Sequence, residues 1–208
     1  MVKSRRETKF FLSPAQVSAA RKLFINASAQ ANQYLVTSHY FDTKTLKHYH
    51  ESLDGLAHKK KYRLRVYNED RSNSFWEIKS KSNLITFKNR TNIGNTDFYF
   101  KPSVLPIEIR PPELTRHTIT IEYLRTELCS FEDERVTLDE EITYSSPYES
   151  AHRNSLGKFF LLEIKSSREL SKKSELIIKD LGLKRTSFSK YSYCMTKSKE
   201  RGLSGIFS

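Results

Sequence analysis

Side chains alternate between charged and apolar with a period of two residues along much of this chain, and this alternation limits its fold more than any other feature. In Lys61–Val66 every second residue is basic, so an extended strand would carry one basic face and one apolar or aromatic face. Trp76–Lys79 and Leu162–Lys165 repeat the alternation with mixed charge. A period of two indicates half-buried β-strands. The predicted strands are Arg5–Phe11, Leu35–Phe41, Lys61–Val66, Ser74–Ser80, Asn83–Arg90, Thr118–Arg125, Arg135–Asp139 and Lys158–Lys165.

Helix signals are fewer. Ser13 and Gln16 form a capping box with Pro14 at the first helical position, and a second helix is predicted from Ser171 to Leu181, ending at Gly182. The prolines between positions 102 and 112 predict an irregular connection. The pattern therefore predicts a mainly β, α+β fold. With only 6 Gly and 6 Pro there is no linker of useful length, so we predict one domain over residues 1–196 and a polar C-terminal tail over residues 197–208.

The composition narrows the class of protein. The chain of 208 residues has 36 Lys+Arg against 24 Asp+Glu, a net charge of +12 that favours a polyanionic partner such as nucleic acid, an anionic membrane or phosphates. Its 37% apolar content with 12% aromatics can fill a core, and because disordered chains lack aromatics, a disordered chain is excluded. No apolar run is long enough for a membrane span, and no signal peptide follows the basic N-terminus. Cys129 and Cys194 lack metal or disulfide spacing and are interpreted as small apolar fillers, which predicts a cytoplasmic protein.

The alternation fits two architectures. One is an antiparallel sheet with a solvated charged face, which periodicity alone favours. The other is a closed barrel with its charged faces inside and its apolar faces packed outward against helices. Excess Lys and Arg in such an interior would need anions, because unpaired buried charge is very costly. Periodicity does not choose between them.

Short motifs in a fixed order point to a family. The opening Arg5–Phe10 resembles an Arg-x-Glu-x-Lys-aromatic strand, and Lys61–Tyr67 resembles a Lys-x-Arg-x-Arg-x-Tyr strand. The remaining motifs are Tyr40–Thr43 followed by Leu46 and Tyr49, Glu77–Lys79 followed by Lys88–Arg90, Tyr123–Arg125, Arg135–Asp139, Leu162–Lys165 and Ser189–Tyr191.

In this order the chain resembles the VTC domain, the catalytic part of vacuolar transporter chaperone polyphosphate polymerases, within the triphosphate tunnel (CYTH-like) superfamily. It departs from the superfamily at Arg5, which stands where the first Glu of Glu-x-Glu-x-Lys would be. The chain also shows no phosphate-sensing helical domain. The resemblance implies an antiparallel eight-stranded closed barrel, forming a triphosphate tunnel, with a few flanking helices.

The resemblance also implies an activity. The first expectation is an ATP-dependent polyphosphate polymerase that uses Mn²⁺ or Mg²⁺. The alternatives are a metal-dependent hydrolase of tripolyphosphate or nucleoside triphosphate, and a non-catalytic polyphosphate-binding module. The expected partners are ATP or another nucleoside triphosphate and inorganic polyphosphate, triphosphate or pyrophosphate. Nucleic acid is not expected, because the chain lacks an aromatic RNA-binding motif.

The motif match assigns site residues, since phosphoryl transfer relies on positioning and charge neutralisation by Arg and Lys. The expected catalytic residues are Arg63, Arg65, Lys79, Arg125, Arg135 and Lys165. The expected substrate-binding residues are Lys9, Lys61, Lys88, Arg90 and Lys190. The expected metal ligands are Glu163 and Glu7. For each, the plainer interpretation is a solvated charge or an ion-pair partner.

Four further expectations concern single residues. Arg63 and Arg65 should face a shared basic cavity with Glu77 and Lys79. Asp139 matches a family position, and a hydrogen-bonding role at the end of its strand is weighed equally with a role in the site. Tyr123 and Tyr191 are interpreted as packing residues at a tunnel wall. The pair His48 and His50 is interpreted as part of a surface loop, because no third metal ligand is near in sequence.

Overall fold

A computed structural model of the chain describes residues 6–25, 32–82, 85–95, 100–130, 134–147 and 153–201. Within these ranges the chain forms one 10-stranded sheet, four α-helices and a short 3₁₀ turn at Pro102–Val104. The strands are β1 (Arg6–Leu12), β2 (Asn32–Asp42), β3 (His58–Tyr67), β4 (Asp70–Ser82), β5 (Ile85–Gly94), β6 (Arg116–Ser130), β7 (Glu134–Ser145), β8 (Asn154–Ser155), β9 (Phe160–Ser166) and β10 (Arg185–Thr186). The helices are α1 (Pro14–Phe24), α2 (Lys47–Leu53), α3 (Lys172–Asp180) and α4 (Lys190–Glu200).

The sheet is antiparallel throughout its pairings, in the order β10-β1-β9-β7-β6-β2-β3-β4-β5, with β8 paired to β7. Strands β1 and β4 are far apart in this order, yet Lys79 Nζ on β4 lies 2.5 Å from Glu7 Oε2 on β1. A side-chain contact between such distant strands requires the sheet to curl. We call the face on which these two residues meet the inner face.

The apolar face of the alternation lies on the outside of the curl and is covered. Helix α1 buries Val17, Ala20 and Phe24 against strand residues that include Phe10 and Ile164. Helix α3 adds Ile177 to the same core. Over β2–β5 the cover is an irregular segment around residues 100–110: Leu105 packs into the core of Trp76, and Trp76 Nε1 donates to the Ile109 carbonyl at 2.9 Å. On the inner face Arg65, Glu77 and Asp139 are buried, so the solvated charged face that periodicity alone favours is wrong for this chain. Among the described residues the strand pairings do not close the sheet into a barrel.

Part of the inner face is apolar and lies under two helices. Ile119, Ile121 and Tyr40 pack there against α4, which contributes Cys194 and Met195. Helix α2 adds Leu46 and Tyr49 to the same core. Cα-paired residues of antiparallel strands share a face, and Tyr40 pairs with Arg63, so this core is continuous with the charged part of the inner face. Helix α4 thus covers one end of the interior.

The predicted strands are present as β1–β7 and β9, with the predicted Arg5 and Asn83 outside the described residues. The count of eight was wrong by two, because β8 and β10 are two-residue strands too short to show a period. The capping box at Ser13 and Gln16 is confirmed, and Gly182 follows α3 with φ +60°, a conformation that favours glycine. Helices α2 and α4 were missed. The tail predicted from Lys197 begins inside α4, which continues to Glu200.

Candidate functional site

Every predicted basic site residue lies on the inner face or on α4 beside it. Most are held on β-strands, whose period of two places them in adjacent rows across the sheet. Lys61 pairs with Lys79, which pairs with Lys88, and Arg63 pairs with Glu77, which pairs with Arg90. Across the curl, β1, β6, β7 and β9 supply Lys9, Arg125, Arg135 and Lys165, and α4 supplies Lys190.

Glu77 is the acidic centre of the β3–β5 side. Its Oε2 lies 2.6 Å from Arg63 Nη2 and 3.7 Å from Arg65 Nη1, and its Oε1 lies 2.5 Å from Lys88 Nζ and 3.7 Å from Arg90 Nε. The Glu77 side chain is 1% exposed. Burial alone would raise the pKa of Glu77, but Arg63, Arg65 and Lys88 lower it far below its usual range. One carboxylate therefore serves four cations, which leaves this side of the interior strongly positive.

Asp139 is the acidic centre of the opposite side. It accepts a bidentate pair of hydrogen bonds from Arg125, 2.6 Å from Nε and 2.8 Å from Nη2, and it lies 2.5 Å from Lys190 Nζ. Burial raises the pKa of Asp139, yet Arg125 and Lys190 bring it down to about 2. Asp139 is fully buried, so its carboxylate ties β6, β7 and α4 together.

Glu163 and Glu7, the predicted metal ligands, lie on adjacent strands of the same face. Glu7 pairs with Lys165 and Glu163 pairs with Lys9, so the two carboxylates are diagonal neighbours. Glu163 Oε2 lies 3.5 Å from both Arg125 Nη2 and Lys165 Nζ. Burial raises the pKa of Glu163, but Lys165, Lys9 and Arg125 hold it well below its usual range. Burial also raises the pKa of Glu7, but Lys79 and Lys165 bring it below its usual value, so both carboxylates are ionised at neutral pH.

The interior lysines carry the clearest sign of excess positive charge. Burial and then the neighbouring Lys79 and Lys9 lower the pKa of Lys61 to about 7. Burial and Arg63 lower the pKa of Lys88 to about 7. Burial lowers the pKa of Lys9 to about 8. An anion that enters the interior stabilises these lysines, because it favours their protonated, charged form.

One end of the interior is held by the N-terminal turn of α4. Lys61 Nζ donates to Ser189 Oγ at 2.7 Å, and Lys9 Nζ donates to the Phe188 carbonyl at 2.9 Å. Arg135 lies towards the other end, where its guanidinium donates to Glu127 at 2.7 and 3.0 Å and to the Tyr34 hydroxyl at 2.8 Å. The interior thus has one end closed by a helix and one end lined by aromatic side chains and guanidinium groups.

Comparison with known proteins identifies the family. The sequence profile of the VTC domain matches residues 4–101 and 113–199. The chain belongs to the VTC domain family. No curated protein matches the chain by sequence. Residues 102–112, which the VTC profile does not cover, overlap the irregular segment around residues 100–110 that covers Trp76 on the outer face.

Solved structures share the fold of this VTC domain. The PH1819 protein from Pyrococcus horikoshii OT3 is 15% identical, with 93% of this chain and 99% of that chain covered and a TM-score of 0.61. A putative adenylate cyclase from Bacillus halodurans is 15% identical over 89% and 95%, with a TM-score of 0.54. The putative adenylyl cyclase HpAC1 from Hippeastrum, for which a dominant triphosphatase activity is reported, is 15% identical over 94% and 96%, with a TM-score of 0.55. At these identities the likeness shows the fold alone.

The VTC domain contains interior residues that the sequence reasoning did not select. Tyr40 accepts from Arg63 Nη1 at 3.0 Å, and Ser38 accepts from both Nε and Nη2 of Arg65. Thr137 pairs with Glu163, and its Oγ1 is buried with no hydrogen-bond partner in the part of the chain that the structure describes. The parity of Tyr40 in its strand could have revealed it, but Ser38 and Thr137 carry no signal that sequence alone makes specific.

The single-residue expectations have mixed outcomes. Arg63 and Arg65 both contact the buried Glu77 carboxylate, as expected, whereas the carboxylate that contacts Lys79 belongs to Glu7. The surface-loop interpretation of His48 and His50 is wrong, because both lie in α2 and His48 is buried beside Glu51.

The two tyrosines do more than pack. The Tyr123 hydroxyl accepts from Arg65 Nη2 at 3.2 Å, and the Tyr191 hydroxyl donates to Asp42 at 2.5 Å. Cys129 and Cys194 are buried and free, as fillers would be.

The structure holds no group of three or more His, Cys, Asp or Glu side chains within the described ranges that could bind a metal by themselves. The chemistry of the available donors still fits a hard divalent ion that also binds phosphate, because Mg²⁺ on phosphates needs only one or two carboxylates from the protein. Glu163 and Glu7 provide two ionised carboxylates, and the unpartnered Thr137 hydroxyl lies in the same row as Glu163. Among the described helices, none is long and apolar enough to cross a membrane.

Proposed function

We propose that the curled sheet closes around a tunnel that binds triphosphate and polyphosphate, and that the protein is a nucleoside-triphosphate-dependent polyphosphate polymerase. The observation that carries this proposal is the excess of buried cations on the inner face. Lys61, Lys88 and Lys9 have pKa values lowered by burial and, for the first two, by neighbouring cations ahead of any carboxylate. A folded protein retains such costly groups where a polyanion neutralises them. The Lys79–Glu7 contact across the curl supports closure of the tunnel.

Each basic residue then has a role that follows from its position. Arg63, Arg65, Arg125 and Arg135 are forked donors suited to bidentate contacts with phosphate oxygens. Lys9, Lys61, Lys79, Lys88, Lys165 and Lys190 add compact point charges, and Arg90 extends the basic wall towards the aromatic end. The terminal oxygen of a phosphate chain attacks the γ-phosphorus of the nucleotide, the bond from the γ-phosphorus to the bridging oxygen breaks, and the nucleoside diphosphate leaves.

Glu163 and Glu7 would hold Mn²⁺ or Mg²⁺ together with phosphate oxygens. Such an ion supplies positive charge that offsets the charge developing on the phosphoryl oxygens. The cations around Glu163 keep its carboxylate ionised, and Lys165 and Arg125 beside it position the same phosphates.

A second function has an observation in its favour. Helix α4 covers one end of the interior through the Lys61–Ser189 and Lys190–Asp139 contacts, which suits a short substrate that does not thread through. The reported triphosphatase activity of HpAC1 is consistent with this reading. In that case water attacks the γ-phosphorus, and the protein is a metal-dependent tripolyphosphatase or nucleoside triphosphatase.

One incubation separates the candidates. Purified protein is incubated with ATP and Mn²⁺ or Mg²⁺, and the products are resolved on a polyphosphate gel beside an assay for free phosphate. A ladder of lengthening polyphosphate supports the polymerase, and free phosphate alone supports the hydrolase. Unchanged ATP, with tripolyphosphate still bound, would leave a non-catalytic binding module. The exposed-residue variant Lys179→Gln serves as a control that should match the wild-type protein.

A further inference from the structure

Three aromatic rings lie side by side on the inner face at the end opposite α4. The Tyr34 and Tyr67 rings meet edge to face with centroids 5.8 Å apart, and Tyr67 meets Phe75 at 6.0 Å. Tyr67 is two residues beyond Arg65 on β3, and Phe75 is the Cα partner of Arg65 on β4. The three rings, which we call the aromatic mouth, therefore border the interior guanidinium groups: Phe75 and Tyr34 are the Cα partners of Arg65 and Arg125, and Tyr67 lies one row beyond Arg65. All three side chains are only partly buried.

Guanidinium groups flank the aromatic mouth on both sides. Arg90 Cζ lies 3.6 Å from the Phe75 ring centroid and 5.3 Å from that of Tyr67. The Arg90 side chain is 41% exposed, so its guanidinium group is accessible to a ligand. Arg90 Nε also lies 3.7 Å from Glu77, which joins the stack directly to the proposed phosphate-binding cluster. On the other flank Arg135 donates to the Tyr34 hydroxyl.

Amide groups complete the mouth. Asn92 is the Cα partner of Phe75, and its side-chain nitrogen donates to Asn73 at 2.9 Å. Both side chains are exposed. Amides beside an aromatic stack offer the donors and acceptors that the edge of a base can use.

The two ends of the interior offer different surroundings to the nucleoside of a bound nucleotide. At the α4 end Lys61 is already bonded to Ser189 and lies over the Tyr191 ring, and Tyr40, Ile119 and Ile121 pack with side chains of α4. A nucleoside attached to a triphosphate on Arg63 and Arg65 would meet partly exposed stacking groups at the aromatic mouth, where the Arg90 side chain is 41% exposed. We infer that Tyr67, Phe75 and Arg90 form a nucleobase subsite, in which the base stacks on the ring and guanidinium faces while its phosphates extend inward. This inference rests on the proposed function, since it takes the interior cations as the triphosphate site.

The test compares ligands with and without a base. Dissociation constants for ATP and for inorganic tripolyphosphate are measured by calorimetry on the wild-type protein and on Phe75→Leu. Base–aromatic stacking of ordinary strength predicts that ATP binds about tenfold more weakly to Phe75→Leu. Tripolyphosphate affinity should change by less than about twofold, because phosphate contacts come from other residues. The control is Phe87→Leu, an aromatic residue of β5 that is 42% exposed and, three residues from Arg90, lies on the opposite face of the strand.

A second measurement needs no substitution. Ribose 5-triphosphate lacks the base and should bind the wild-type protein about tenfold more weakly than ATP. Equal affinities for ATP and ribose 5-triphosphate, or equal losses of ATP and tripolyphosphate affinity in Phe75→Leu, would overturn the nucleobase subsite while leaving the phosphate site intact. A wild-type protein that binds neither ATP nor tripolyphosphate would instead overturn the proposed function.

Discussion

At the scale of single residues, Glu163 is the carboxylate whose surroundings most resemble those of a metal ligand. It is 6% exposed, lies 3.5 Å from Arg125 and from Lys165, and has Glu7 as a diagonal neighbour. An exposed ion pair would contribute only about 0–1 kcal/mol to stability, and its loss would be nearly silent. Glu163 is buried among cations, so its replacement should have a specific and measurable effect.

Glu163→Gln should lower metal-dependent turnover of ATP by at least about a hundredfold, because the amide keeps the shape but loses the charge that holds the ion. Polyphosphate affinity should stay the same or rise, since a negative charge has been removed from a cationic site. Turnover and affinity are measured side by side for both proteins. Glu169→Gln, at a side chain that is 90% exposed, is the matched control. Wild-type turnover in Glu163→Gln would exclude the metal role.

The lowered pKa values of the interior lysines predict that both folding and ligand binding depend on pH. The pKa values of Lys61 and Lys88, at about 7, lie below their unfolded value of about 10.5, so the unfolded chain binds more protons between these pH values. The free energy of unfolding without ligand should therefore rise with pH over this window. A bound polyanion raises the same pKa values, so binding takes up protons and weakens as pH rises from about 7 to 10.

Calorimetry at pH 8 in buffers of different ionisation enthalpy measures this uptake. Tripolyphosphate binding should take up about one more proton in the wild-type protein than in Lys61→Gln. The difference between the two proteins removes the contribution of the ligand's own titration. The same uptake in both proteins would mean that Lys61 does not meet the phosphate.

At the scale of secondary structure, Asp42 explains why the Tyr40–Thr43 motif accompanies this fold. Its carboxylate accepts from the backbone N–H groups of Thr43, His48 and Tyr49, so it caps α2, whose own N-cap residue makes no side-chain cap. It also accepts from the Tyr191 hydroxyl of α4 at 2.5 Å. One fully buried carboxylate thus fixes both helices that lie over the inner face.

Asp42→Ala should lower the free energy of unfolding by about 3 kcal/mol, because several buried donors lose a charged acceptor. Tyr191→Phe removes one of these donors and should cost about 1 kcal/mol. Urea denaturation measures both, with Tyr193→Phe, a partly exposed tyrosine of the same helix, as control. If Asp42→Ala is as stable as that control, the carboxylate does not hold the helices.

The sequence predicts elements where a single period dominates. Strands such as β3 and β9 alternate cleanly, so their existence follows from a period of two. The sequence pattern did not predict helix α4, because its buried side does not form an apolar stripe. The buried residues are Tyr191, Ser192, Cys194, Met195 and Ser198. Helix α2 is short, and its cap is supplied by Asp42 five residues before its first residue.

For the candidate site, sequence periodicity leaves the orientation of the charged face undecided. Periodicity placed Arg63, Arg65 and Glu77 on one face, but that face is equally consistent with solvent or with an interior. The choice depends on long-range packing, such as α1 on β1 and the segment around Leu105 on Trp76, which single-strand patterns do not contain. The motif order resolved it, because the family resemblance implied the inward orientation. The ion-pair partners, such as Glu7 for Lys79, depend on the curl and had no sequence signal.

At the scale of the whole molecule, the net charge of +12 has a structural location. Much of the excess lies on the inner face, where Glu77 and Asp139 are outnumbered by the cations around them. The apolar faces of the same strands lie outside, covered by α1, α3 and an irregular segment. The outer layer stabilises the fold and holds the basic interior in place. The fold without a ligand therefore carries an electrostatic strain that a polyanion should relieve.

Thermal unfolding with tripolyphosphate tests this central claim most directly. A ligand that binds only the folded state at about a hundred times its dissociation constant adds about 2.7 kcal/mol. For a chain of this size that should raise the Tm by about 5–10 °C. The comparison is potassium chloride at the same ionic strength, which screens charge without occupying a site. A Tm increase of this size with tripolyphosphate and a much smaller one with chloride is the predicted result, whereas equal increases with both would contradict a phosphate site in the interior.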